Sequence, residues 1–227
     1  MKRSEINAVI KKFEALMKEH CFELPPYLGF TPEEWHDKGH EYDEIRDNML
    51  GWDVTDYGEG DFDKLGLALI TIRNGNVHNP KYQKPYAEKI IMCDSGQVSP
   101  MHFHWGKMED IINRGGNDIE FTLYNADKET EQLADTDVEI CQDGRRYTMP
   151  AGTKVILHPG ESLTLYPYLY HEFVIPEGGP VLIGEVSMCN DDNTDNRFLN
   201  PLGRFPTIEE DEAPYRLLCN EYPPAKD

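Results

Sequence analysis

The N-terminal region carries apolar side chains at the three- and four-residue spacing that is typical of an amphipathic helix. The apolar stripe consists of Ile6, Val9, Ile10, Phe13, Leu16 and Met17. Ser4 lies just before the stripe, where an N-cap is expected. A second helix is predicted to begin at Pro32, because Thr31 is a good capping residue and acidic residues follow in the first turn. We expect this helix to end near His40 or Arg46.

From Trp52 onward, the pattern changes to short apolar runs separated by turn signals, which is typical of strands. Residues 52–61 are interpreted as a turn-rich connection. The predicted strands are Leu67–Ile72, Glu88–Cys93, Gln97–His104, Glu109–Asn113, Asp118–Asn125, Val138–Gln142, Arg146–Met149, Thr153–Leu157, Ser162–Leu165, His171–Ile175 and Val181–Ser187. Asp143-Gly144 indicates a hairpin turn. So many short strands at this spacing favour a mainly β fold, a barrel or jelly roll.

The C-terminal segment is rich in proline, which favours an extended course over the surface of the barrel. We predict a short helix within it, near Thr207–Glu212. The whole chain, 1–227, is interpreted as a single domain. Residues 1–60 form its helical N-terminal extension, 61–190 its barrel and 191–227 its C-terminal wrap.

Composition narrows the classes of partner. The chain has 22 basic and 42 acidic residues, a net charge of −20, which disfavours binding to nucleic acid or to an anionic membrane. No apolar run is long enough to span a bilayer. The five cysteines are widely spaced and include no Cys-x-x-Cys pair. This pattern favours reduced thiols in a cytoplasmic protein over a disulfide framework.

The candidate chemistry is concentrated around two histidines in one predicted strand. His102 and His104 are two residues apart, so their imidazoles project from the same face. Glu109 cannot share that face of a straight strand, but a turn at residues 105–108 would bring it back on the next strand. Imidazoles and a carboxylate suit manganese, iron, cobalt, nickel or zinc. The alternative is a pair of surface histidines with no ligand.

The spacing around these residues resembles the cupin superfamily. Gly96, His102, His104, Glu109 and Gly116 fit its first motif, Gly-x5-His-x-His-x4-Glu-x6-Gly. The resemblance implies a cupin-type double-stranded β-helix, or jelly-roll, barrel that binds one divalent metal ion.

The second cupin motif is only partly present. Gly144, Pro150 and Gly152 fit its first half, but Val155 stands where the family has its third histidine. His158 and His171 are the nearest candidates downstream. His158 precedes a Pro-Gly turn, whereas His171 shares a strand face with apolar residues, so we select His171 as the remaining metal ligand.

Most of the chain resembles the D-lyxose isomerase family. The resemblance includes the segments 50–58, 184–187 and 192–198 in addition to the metal motif. It implies a cytoplasmic homodimer that interconverts D-lyxose and D-xylulose, and often D-mannose and D-fructose. The family also implies Mn2+, with Zn2+, Co2+, Fe2+ or Ni2+ as alternatives. Other cupin functions stay open, namely a dioxygenase, a sugar-phosphate isomerase and a non-catalytic metal- or sugar-binding protein.

Aldose–ketose isomerisation moves a proton between C1 and C2, which requires a base and a donor for the developing oxyanion. Glu185 alternates with inward-facing apolar residues and is the candidate base; its alternative role is to pair with a buried cation. Lys107 is the candidate donor, or else a solvated turn residue. The candidate sugar-binding residues are Glu120, Asp195, Arg197, Arg204 and Trp105. The Asp/Asn-rich loop at residues 191–196 could bind a sugar or could be only a cluster of turns. Trp105 could stack on a sugar or could pack in the core.

Overall fold

The computed structural model describes residues 1–191 and 194–227. Three α-helices precede the barrel: α1 (Arg3–Glu19), α2 (Pro32–Trp35) and α3 (Asp43–Asp47), with 3-10 turns at Pro26–Gly29 and His40–Tyr42. Thr31 caps α2 as predicted, and its hydroxyl accepts a hydrogen bond from the backbone N–H of Glu34. The predicted second helix is therefore three short elements instead of one. None of the helices in the described ranges is long and apolar enough to cross a membrane.

Fourteen strands follow within the described residues. They are β1 (Gly51–Thr55), β2 (Leu67–Arg73), β3 (Tyr86–Cys93), β4 (Val98–Phe103), β5 (Glu109–Gly116), β6 (Ile119–Ala126), β7 (Leu133–Ala134), β8 (Val138–Gln142), β9 (Arg145–Met149), β10 (Lys154–Leu157), β11 (Ser162–Leu165), β12 (Leu169–Val174), β13 (Val181–Met188) and β14 (Arg197–Phe198). Every predicted strand overlaps one of these. Asp143 and Gly144 join β8 to β9 with positive φ angles, as the predicted hairpin requires.

Two antiparallel sheets form the barrel. Their strand orders are β1-β2-β3-β13-β5-β11-β8-β9 and β10-β6-β12-β4-β14, with β7 added beside β6. Inward-facing residues of both sheets form one core, with Ile91, Ile111 and Ile183 on the first sheet and Phe121 and Phe173 on the second. This arrangement confirms the predicted mainly β, jelly-roll class.

Helix α1 covers the outer face of the first sheet. Ile6, Ile10 and Phe13 are fully buried in a second apolar cluster, where they join Trp52 and Ile70 of the sheet. The predicted apolar stripe therefore serves to cover the barrel from outside. β1 is buried along its whole length, so it shows no alternation, and its prediction as a turn-rich connection is wrong.

Two details at the termini also differ from prediction. Ser4 does not cap α1; the helix begins at Arg3, and Ser4 instead donates its hydroxyl to Asp211 at 2.6 Å. Residues 207–212 form no helix, because the backbone of Glu209 pairs with the first residues of the chain. The C-terminal segment is thus tied to α1 by long-range contacts. The division of the chain at residues 60 and 190 stays a prediction.

Candidate active site

Neighbouring strands bring the candidate metal ligands together. His102 on β4 lies directly opposite His171 on β12 in the antiparallel register. His104 follows the end of β4, and Glu109 is the first residue of β5 after a turn at 105–108. All four residues line one pocket. As predicted, the turn at 105–108 brings Glu109 back beside the two histidines of the preceding segment.

Each of the three imidazoles is oriented by a backbone carbonyl. The Nδ1 atoms of His102, His104 and His171 lie 2.7, 2.7 and 3.0 Å from the carbonyl oxygens of Pro100, Asp195 and Leu169. Because a carbonyl oxygen only accepts, each Nδ1 carries a proton. In a neutral ring, the opposite Nε2 atom then presents a lone pair to the pocket.

The Nε2 atoms converge on one point. Those of His102 and His171 are 3.1 Å apart, and one nitrogen from each of the three rings lies within 4.8 Å of the others. Two lone pairs this close are unfavourable unless a cation lies between them. Ligands at right angles, each about 2.2 Å from a metal, are about 3.1 Å apart. The Nε2 atom of His104 is also buried without a hydrogen-bond partner in the described structure. These residues fit a divalent metal ion.

Protonation states favour the same conclusion. Burial lowers the pKa of His102 well below its usual value, and the neighbouring His171 lowers it further. Burial likewise lowers the pKa of His171 to about 4. Both rings are therefore neutral at pH 7, the form in which imidazole binds a metal.

Glu109 completes the ring of donors. Its Oε1 lies 3.3 Å from Nε2 of His104 and 3.5 Å from Nε2 of His171. Its Oε2 lies 2.7 Å from the ammonium of Lys107. Burial alone would raise the pKa of Glu109, but Lys107 and His104 hold it well below its usual value. The carboxylate is consequently ionised, as a metal ligand must be.

The opposite side of the pocket carries a buried charged cluster. Lys107 lies 3.2 Å and Lys89 3.4 Å from the same oxygen, Oε1 of Glu185. Lys89 stands opposite Glu185 in the register of β3 and β13. All three side chains are almost fully buried. Both predicted catalytic residues thus lie beside the ligands, and Lys107 joins the two groups by contacting Glu109 as well.

The five candidate sugar-binding residues separate into two groups. Arg204 lines the pocket and forms an ion pair with the buried carboxylate of Asp53. Asp195 instead stabilises the ligand-bearing turn. Its carboxylate accepts hydrogen bonds from the backbone N–H groups of Gly106 and Lys107 at 2.9 and 2.8 Å. Together with its carbonyl contact to His104, this makes Asp195 a support for the metal site.

The remaining three candidates, like Asp195, are not among the residues that line the pocket. Trp105 donates its indole N–H to Glu131 at 2.8 Å, and Arg197 binds the other oxygen of Glu131 at 3.0 Å. These two hydrogen bonds lower the pKa of Glu131. Glu120 forms an ion pair with Lys154. It is flanked on β6 by the core residues at 119 and 121, so it points away from the barrel interior.

Sequence reasoning missed several residues of the pocket. They include Tyr57, Lys89 and Phe198. A signal for Lys89 was available, because it alternates with Ala87, Ile91 and Cys93 on the inward face of β3. A lysine in such a position must find a buried anion, which here is Glu185. The segment 192–198, used for the family resemblance, includes Asp192 and Asn193, which lie outside the described residues.

The fold defines a cupin-type barrel, and His102, His104 and His171 form a cluster in it that could hold a metal ion. Similar folds occur in L-ribose isomerase from Cellulomonas parahominis, with a TM-score of 0.58, 16% identity and coverage of 92% of this chain and 98% of that one. The profile of the D-lyxose isomerase family matches residues 1–222. The chain belongs to the D-lyxose isomerase family.

Curated relatives agree with this assignment. The D-lyxose/D-mannose isomerase of Serratia proteamaculans is 48% identical over 224 residues, which cover 98% of each chain. The protein of the same description from Escherichia coli O157:H7 is 47% identical with the same coverage.

Proposed function

We propose that this protein is a metal-dependent aldose–ketose isomerase that interconverts D-lyxose and D-xylulose, and also D-mannose and D-fructose. The observation that carries the proposal is the union, in one pocket, of three converging histidines with a buried glutamate and lysine. A metal site beside a proton-transferring carboxylate is what this reaction needs. The full-length similarity to the two D-lyxose/D-mannose isomerases supports the choice of sugars.

His102, His104, Glu109 and His171 would hold the metal ion, and we propose Mn2+ as the physiological one. Three imidazoles and a carboxylate also suit Zn2+, Co2+, Fe2+ and Ni2+. When bound, the ion supplies Lewis-acid polarisation of the sugar oxygens.

Glu185 is the proposed base that moves the proton between C1 and C2. It projects from β13 into the pocket and is almost fully buried, so water competes little for its carboxylate. Lys107 is the proposed donor to the enediolate oxygen, because its ammonium lies beside both Glu185 and the ligand Glu109. Arg204 is the proposed donor to the hydroxyl groups of the sugar, as the one candidate of the five that lines the pocket.

A cytoplasmic homodimer is the proposed form in the cell. All five cysteines are free thiols, which suits a reducing compartment. On the outer face of the first sheet, beyond the cover of α1, the side chains of Tyr86, Val186 and Met188 are 46%, 45% and 49% exposed. Such an uncovered apolar strip on a chain of net charge −20 suits contact with a second copy. Light scattering would show a monomer if the homodimer proposal is wrong.

The isomerase activity is tested by removing and restoring metal. Protein stripped with a chelator is expected to form no ketose from D-lyxose, and added Mn2+ should restore ketose formation. Magnesium-treated stripped protein is the control for non-specific effects of a divalent ion, since Mg2+ prefers oxygen ligands. If the Mn2+-loaded protein produces no ketose from D-lyxose or D-mannose, the proposed activity is wrong.

A further inference from the structure

The two lysines of the charged cluster share a second acceptor besides Glu185. Oδ1 of Asn190 lies 2.9 Å from Nζ of Lys89 and 3.1 Å from Nζ of Lys107. Each ammonium therefore contacts the same two oxygens, one from Glu185 and one from Asn190. An ammonium group only donates, so the atom of Asn190 that faces both lysines must be its carbonyl oxygen.

A neutral acceptor suits this position. Lys89 and Lys107 carry two positive charges, which Glu185 and Glu109 already balance. Two ammonium groups beside one carboxylate oxygen repel each other, and in a buried site this repulsion is weakly screened. An amide oxygen has two lone pairs, so it satisfies one donor from each lysine without adding a charge. Asn190 therefore holds the two ammonium groups in place beside Glu185.

Asn190 is itself fixed by a buried side chain outside the metal pocket. Nδ2 of Asn74 donates to the backbone carbonyl of Asn190 at 2.9 Å, and Oδ1 of Asn74 accepts from its backbone N–H at 2.9 Å. Asn74 is 5% exposed and lies just after β2. Its own carbonyl accepts a hydrogen bond from Asn48 at 3.2 Å. The two hydrogen bonds from Asn74 fix both the position and the orientation of the Asn190 backbone.

We propose that Asn190 is a positioning residue that sets the places of Lys89 and Lys107 relative to Glu185, and that Asn74 locks Asn190 in this role. The inference rests on the proposed isomerase function. Among the described residues, Asn190 forms side-chain hydrogen bonds to Lys89 and Lys107 and none to the candidate metal ligands or to Glu185, so it acts through the lysines. A shift of the reacting groups by about 1 Å costs on the order of 100-fold in rate, which makes such a support measurable.

The first test compares Asn190→Leu with Asn190→Asp. Leucine has a similar shape but no acceptor, so kcat on D-lyxose is expected to fall about 30-fold while KM changes less than about threefold. Aspartate restores the acceptor but adds a negative charge beside Glu185, so its kcat should recover only in part, to about tenfold above that of Asn190→Leu. Bound Mn2+ and the midpoint of thermal unfolding are measured on each variant. Equal loss in both variants would show a merely structural role, and unchanged kcat in Asn190→Leu would also overturn the inference.

The second test uses Asn74→Ala and covers the case in which Asn190→Leu does not fold. We expect kcat to fall about tenfold with Mn2+ content unchanged. Asn76→Ala is the matched control, because Asn76 also bonds to Asn48, whereas the hydrogen bonds to the backbone of Asn190 come from Asn74. Asn76→Ala should retain wild-type kcat. Equal kcat values for Asn74→Ala and Asn76→Ala would show that Asn74 does not hold Asn190 in place. Absence of ketose with the Mn2+-loaded wild type would overturn the proposed function too, whereas an active wild type with unaffected variants overturns only this inference.

Discussion

The two sides of the pocket are built in different ways. Two of the three histidines are held by local structure, since Nδ1 of His102 and of His171 each bonds to the carbonyl two residues earlier in the same strand. His104 is held instead by the carbonyl of Asp195, 91 residues away. The charged side is held by contacts across the chain: Lys107 meets Glu185 at a separation of 78 residues, and Lys107 meets Asn190 at 83. Metal binding and proton transfer therefore rest on largely different supports, and the two are joined at Lys107, which contacts both Glu109 and Glu185. Mutations should be able to remove one and leave the other.

The largest effect, a loss of turnover with metal binding retained, is expected from Glu185→Gln. The amide keeps the size of the side chain but cannot accept the proton, so kcat should fall by about 10³-fold. Mn2+ should bind as in the wild type, because Glu185 is not among the candidate ligands. Glu139→Gln is the matched control, since Glu139 pairs with Arg146 on an exposed surface. Unchanged turnover in Glu185→Gln would move the base role to another group.

His171→Ala is expected to act on the other side of the pocket, by weakening metal binding. Loss of one of four donors should weaken Mn2+ binding by about 100-fold or more, as measured by a competitive metal titration. His158→Ala is the control, because His158 is exposed and pairs with Asp118 outside the pocket. Should His158→Ala lose the metal and His171→Ala retain it, the choice between these two histidines would be reversed.

The smallest expected effect is a change with pH in the free energy of unfolding, and it arises from the histidine side alone. Burial lowers the pKa of His171 to about 4. Below about pH 6.5, the imidazole of His171 therefore binds a proton more readily in the unfolded chain than in the folded protein. Metal-free protein should therefore lose stability on acidification. Between pH 6.5 and 4.5, we expect the free energy of unfolding to fall by about 2 kcal/mol more for the wild type than for His171→Gln. Denaturant unfolding at the two pH values measures this difference, and identical pH dependence would contradict it.

The same contrast explains how far the sequence was informative. Strand parity and the spacing of the first cupin motif grouped His102 with His104, and parity selected His171, because the face on which a strand residue lies is set by local backbone geometry. The roles of Asp195, Arg197 and Trp105 depend on partners distant in the chain, Gly106 and Glu131. No period or spacing reports such contacts.

The missed elements have equally physical reasons. β1 is buried on both faces, so it lacks the alternation that identifies a half-buried strand. The acidic segment 207–212 has helix-like composition, but Glu210 and Asp211 bond to Arg3 and Ser4 of α1 instead. Local propensity there is overridden by tertiary contacts.

A crystal structure of Glu185→Gln with Mn2+ and D-xylulose bound would test directly whether the two sides of the pocket act on one sugar. We expect one metal ion bound by His102, His104, Glu109 and His171, with the C1 and C2 oxygens of the sugar directed toward it. The side chain at 185 should then lie beside C1 and C2. A sugar bound outside this pocket, or one whose C1 and C2 face away from residue 185, would show that the two sides do not act together.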